Sequence, residues 1–96
     1  MDFNAYTLGS LMRAVRVKSD AAKQEIEELA EACVLDLNIA GVYVTDPSDP
    51  LTLQALKLYC KANFGYDSET DTKRFQASYE HLKTLMALSG DYEKGE

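Results

Sequence analysis

Residues 50–71 read PLTLQALKLYCKANFGYDSETD, and two apolar lines run along their first two-thirds. Leu53, Leu56, Cys60 and Phe64 recur at the three- and four-residue steps of one helix face, and Leu51, Ala55, Leu58 and Ala62 repeat those steps on the opposite face. A helix that is apolar on two sides is enclosed by neighbours on two sides. The spacing therefore predicts a helix over 50–64 at the centre of the domain, with Lys57 and Lys61 riding between its stripes. Asp49 and Pro50 make its start: a capping carboxylate, then a proline where the missing N–H has no helical partner to lose. Gly65 makes its stop, because a residue without Cβ enters the left-handed conformation that ends a helix. Tyr66 would then fold back onto Cys60. On this reading Tyr59, Phe64 and Tyr66 mark a helix end rather than an aromatic box for a ligand.

Three further helices are predicted around this one. Leu8, Leu11, Met12 and Val15 define a short helix over 7–16 with Thr7 as N-cap, weakened by Gly9. Ser19 or Asp20 starts a second, running to about Ala40, with a core face of Ile26, Leu29, Ala30, Cys33, Leu37 and Ala40. Glu25, Glu27, Glu28 and Glu31 spread over the rest of its surface. Its last third, CVLDLNIAG, also carries Ala32, Leu35 and Ile39 away from that face, so it is covered twice, by this chain folding over it or by a neighbouring subunit. GVYVTDPSDP follows as an irregular connection in which VYV forms at most a short extended piece. After an acidic loop, DSETD, the last helix is expected over 72–88. Phe75, Tyr79, Leu82 and Met86 face inward, and Ala77, His81, Leu85 and Leu88 form a second line. The fold class is thus all-α, one bundle of about four helices with short connections over residues 1–88, followed by a flexible polar tail, 89–96.

Composition narrows the function. Ninety-six residues form one domain and bury only about two-thirds of the unfolded surface, so partners matter to such a chain. Ten basic against sixteen acidic side chains give a net charge of −6, spread over both halves, whereas a duplex-binding face must be basic. No stretch has the apolar length of a membrane span, and MDFNAYTLGS lacks the basic flank of a signal peptide. Cys33 and Cys60 sit at core positions of different helices and read as free buried thiols of a protein made in a reducing cytoplasm.

No catalytic constellation emerges. His81 is the single histidine, and its line-mates are apolar. The cysteines lack the electropositive, open setting of a reactive thiolate. The glutamates of the second helix lack the Glu-x-x-His pairs of a di-metal bundle. DPSDP and DSETD lack the ordered acids and central glycine of a calcium loop. No enzyme activity, cofactor or metal is expected. What remains is a surplus of apolar lines, which either fill an uneven core or form a protein–protein surface. The residues of the second reading are Leu35, Ile39, His81, Leu85 and Leu88.

LQALKLYCKANFGYDSETDTKRFQASYEHLKTLMALS, residues 53–89, resembles the closing half of the small head–tail connector proteins of long-tailed bacteriophages. That family joins a helix end of the pattern A-x-K-x-Y-x-K-x-x-F-G, here Ala55, Lys57, Tyr59, Lys61, Phe64 and Gly65, to a helix of the pattern R-F-x-x-S-Y-x-x-L-K. The second falls on Arg74, Phe75, Ser78, Tyr79, Leu82 and Lys83. LGSLMRAVRV is loosely similar to the family's opening; Gly9, the TDPSDP loop and the short tail depart from it. The resemblance implies a structural adaptor of the virion, made in the host bacterial cytoplasm and placed at the head–tail interface. It implies a ring of about twelve copies under the portal protein, joined to a stopper or tail-completion protein and passing DNA without specific binding. It carries no catalytic residues. The competing class is a small acidic intracellular helical module that binds or regulates one basic target; large closed rings would separate the two.

Overall fold

Each helix begins on a short polar side chain that accepts a hydrogen bond from an otherwise unpartnered backbone N–H. In a computed structural model, which describes residues 2–64 and 68–93, four α-helices follow one another: α1 Ala5–Ala14, α2 Asp20–Ile39, α3 Pro50–Asn63 and α4 Glu69–Ser89. No strand forms among the described residues. Ser19 and Asp49 cap α2 and α3 as expected, accepting from Ala22 N and Thr52 N, each at 3.1 Å. Two starts differ from the sequence reading. Asn4, not Thr7, caps α1: its Oδ1 accepts from Thr7 N at 2.8 Å, and the helix begins two residues early. Ser68 caps α4 through Asp71 N at 3.1 Å, so Glu69 to Asp71 belong to the first helical turn rather than to a loop. Acid there suits the positive end of the helix dipole and pairs with the next turn, Glu69 with Lys73 at 3.2 Å and Asp71 with Arg74 at 2.9 Å.

The helix ends are equally specific. α2 closes with Val42 N bonding Leu37 O at 2.8 Å and Gly41 N bonding Asn38 O at 3.0 Å, while Gly41 takes φ 91°. This is the paired Schellman pattern, and its apolar partners Leu37 and Val42 are both buried. α1 closes in the same way, Val17 N to Met12 O and Arg16 N to Arg13 O, but the left-handed residue is Arg16 at φ 61°. Gly90 ends α4 at φ 79°. α3 passes into Phe64 in right-handed geometry; the expected stop at Gly65 and Tyr66 lies outside the described residues.

α3 is the centre, packing against each of the other three helices. Leu53, Ala55, Leu56, Cys60 and Ala62 are buried on it, drawn from both predicted stripes, with Leu58 and Phe64 partly covered. Leu51, the first residue of the second stripe, is 48% exposed. Around α3 lie Leu8 and Leu11 of α1, Ile26, Ala30, Cys33 and Leu37 of α2, and Tyr79 and Met86 of α4. Ala40 was counted with that face but is exposed, because the α2 backbone turns away at its C-cap. Val42 and Val44 alternate inward around Tyr43, so VYV is a short extended piece that closes one end of the core.

Composition suggests a free tail from residue 89; the structure instead seats Tyr92 against the core. Its carbonyl accepts from Tyr43 N at 2.8 Å and its hydroxyl donates to Asp49 at 2.6 Å. One aromatic ring with a polar tip therefore ties the end of α4 to the start of α3.

Candidate interaction surfaces

The two motif segments of α3 and α4 meet at one place. The Tyr59 and Tyr79 rings pack edge to face, 5.2 Å between centroids at 70°. Lys61 lies over the Phe75 ring, 5.3 Å from its centroid, and Arg74 also approaches that ring at 5.8 Å. Lys57 makes no ion pair among the described residues.

Tyr79 carries the junction to α2. Its buried hydroxyl donates to Asp36 at 2.6 Å, and Lys83 Nζ donates to the same carboxylate at 2.9 Å while pairing with Glu80 at 2.8 Å. The Cys33 thiol donates to the Tyr79 oxygen at 3.7 Å. Burial alone would raise the Asp36 carboxyl, but the bonds from Tyr79 and Lys83 outweigh it and hold it below its usual value. Burial, then the bond to Asp36, pushes the Tyr79 phenol far above its ordinary value. Burial works against the Lys83 charge, yet Glu80 and Asp36 keep its ammonium above the usual lysine value. The clasp thus stays ionised at neutral pH. Burial also pushes both thiols up to about 12, so neither is a nucleophile at neutral pH.

The outer faces are different in kind. Leu35 and Ile39 on α2 are 62% and 88% exposed, and Leu85 and Leu88 on α4 are 51% and 79% exposed. His81 is exposed beside them on α4. Each pair sits well round its helix from the residues that face α3. The domain spans 40 × 30 × 18 Å between backbone extremes, whereas three stacked helix layers would span more than about 20 Å between their backbones. So thin a slab has no third layer to cover a second stripe. Tyr6 at 63% and Leu51 at 48% join the exposed apolar set; the α1 reading passed over Tyr6 because it falls outside that helix's apolar spacing.

Asp36 and Tyr92 were also missed, though each left a trace. Asp36 is the single acid inside CVLDLNIA, and Lys83 follows Tyr79 by one helical turn. Tyr92 borders a cleft of about 490 Å³ between the 43–52 segment and residues 91–93. Among the described residues no group of three or more His, Cys, Asp or Glu side chains converges to hold a metal, and no helix is long and apolar enough to cross a membrane.

Fold and surface together define a small all-α module: a closed interior, one polar clasp between helices and bare apolar side chains on its outer faces. The family model described as phage connector protein matches residues 8–93, and the chain belongs to that family. The match takes in both motifs on which the resemblance was read. No curated protein and no solved structure matches the chain. Membership supports a phage head–tail connector role and a place among virion components, and it points to a structural rather than a catalytic protein.

Proposed function

We propose that the protein is the subunit of a ring of about twelve copies beneath the portal, which extends the DNA channel and offers a platform to stopper or tail-completion proteins. The observation that carries this reading is the exposure of Leu35, Ile39, Leu85 and Leu88 on faces the thin domain leaves uncovered. Paired large apolar side chains one helical turn apart on the outer faces of a small protein mark a place where another protein sits. In the ring, α2 and α4 of adjacent copies supply these side chains to one another, with His81 at the edge of the contact.

The charge fits a channel that conducts DNA without holding it. Twelve subunits at −6 each total −72, and fields of that sign repel phosphate within a screening distance of roughly 8 Å at physiological salt. The acids of α2 and the first turn of α4 are the candidate lining. Native mass spectrometry of the pure protein, alone and mixed with its portal, tests the reading: closed rings are expected, and a monomer in both conditions would discard it. An anisotropy titration with duplex DNA should show no binding at physiological salt. Micromolar binding that weakens with salt would move the function toward nucleic-acid regulation.

A further inference from the structure

The helices α2, α3 and α4 run up, down and up. Tyr59 and Lys61 of α3 meet Tyr79 and Phe75 of α4, so those two helices are antiparallel. Asp36 of α2 meets Tyr79 and Lys83 of α4, and Tyr43 N beyond α2 meets Tyr92 O beyond α4. α2 and α4 therefore point the same way. Each turns one line of side chains away from the core. On α2 the line steps through positions 21, 25, 28, 32, 35 and 39, and on α4 through 70, 74, 77, 81, 84 and 88. All of these are exposed except the half-buried Ala32. Both lines alternate steps of four and three, the spacing of a seam along which two parallel helices pack.

The lines match in chemistry as well as in step. Taken in order, Ile39 falls opposite Leu88, and Leu35 falls opposite Thr84 with Leu85 beside it. Glu25 falls opposite Arg74, and Glu28 lies between Arg74 and His81. The α2 line holds acids and no base: Lys23 stands on the opposite side of that helix, and no other Lys or Arg occurs before Lys57. The α4 line holds Arg74 and His81 and no acid. Glu69, Asp71 and Glu80 lie a residue to its side and pair with Lys73, Arg74 and Lys83. Arg74 gives one N–H group to Asp71, and a guanidinium has further donors to offer.

We infer that the outer line of α4 in one copy packs in this register, helices parallel, on the outer line of α2 in a second copy. Each copy then offers α2 to one neighbour and α4 to the other, a heterologous contact of the kind that closes into rings. The polarity follows from the side chains. Reversing one helix would set Glu25 and Glu28 against Leu85 and Leu88, leaving carboxylates without partners in an apolar contact. Pairing α2 with itself would set its acids against each other or against its own Leu35 and Ile39. The inference rests on the ring reading and specifies the subunit contact within it.

Cross-linking tests the register, with the protein studied alone and mixed with its portal. One variant carries Ile39→Cys and the other Leu88→Cys; the native Cys33 and Cys60 are buried and do not compete. Under mild oxidation the mixture should give a disulfide-linked pair containing one of each variant, and neither variant should link to itself. Self-linking would mean that like helices meet, which overturns the inference. Charge reversal tests the polar half. Glu28→Lys and His81→Glu, both at exposed positions, should each weaken association at least fivefold in sedimentation velocity, with thermal melts equal to wild type. Combined in one chain they should restore association to within about twofold of wild type, because the new lysine meets the new glutamate of the next copy. A double variant weaker than either single one overturns the register. If wild-type rings form but the mixture does not cross-link, the ring reading survives without this contact. Wild-type protein that remains monomeric even with portal would instead remove the ring reading itself.

Discussion

Asp36 shows how one residue ties two helices that have little other reason to touch. Its carboxylate accepts from Tyr79 and Lys83, and its folded-state pKa lies below its ordinary value. A depressed acid stabilises the fold above the unfolded pKa, about 3.9 for aspartate, and the contribution disappears as pH falls through the folded value. The variant Asp36→Asn should therefore melt below wild type at neutral pH, with the gap narrowing once the medium drops under about pH 3.9. Melts across that range check it; a constant gap would assign the loss to packing instead of charge. Arg16 is the second case at this scale. An L-residue in the left-handed region costs roughly 1–2 kcal/mol, of which glycine's greater unfolded freedom takes back part. Arg16→Gly should raise stability by about 0.5–1 kcal/mol. Gly41→Ala should lower it by about 1 kcal/mol, and because a Cβ at Gly41 meets nothing within 4 Å, that loss is conformational rather than steric. Denaturant titrations of the pair should move in opposite directions.

Among the elements, α3 holds the others. Leu56 is fully buried at its centre, whereas Phe64 at its end is only partly covered. The larger penalty therefore belongs to Leu56: truncation to alanine should cost about 2–5 kcal/mol, a large share of the stability of a domain this small. Urea unfolding that matches wild type would mean α3 is not the centre. α4 depends on α3 along its length but reaches α2 through the polar clasp, so its inner face mixes Tyr79 and Lys83 with Leu82 and Met86.

The molecule as a whole is a slab whose interior is complete and whose exterior is not. A charge placed in an apolar contact without a partner costs several kcal/mol, while the same charge on a solvent face costs little. Ile39→Asp and Leu88→Asp should consequently leave the melting temperature within a degree or two of wild type and abolish association. Light scattering with unchanged oligomers for both would take these side chains out of the subunit contact. Destabilised monomers would instead place them in the core, against their exposure of 88% and 79%.

The four helices, all four of their starts to within a turn and the central place of α3 are written in the chain itself, because apolar periodicity and capping residues act within a few positions of one another. The motif around Tyr59, Lys61, Tyr79 and Lys83 likewise marked the family before any geometry was known. Which stripe would be covered was a different matter. Periodicity says that Leu51 and Ala55 share a face, but only the packing of three helices leaves Leu51 exposed while burying Ala55. The clasp of Asp36 with Lys83 joins residues far apart in sequence, and Tyr92 finds Asp49 across the same kind of distance. Such pairs exist only once the backbone has brought distant segments together, so local pattern carries their residues without their partnership, and tertiary structure supplies the partnership.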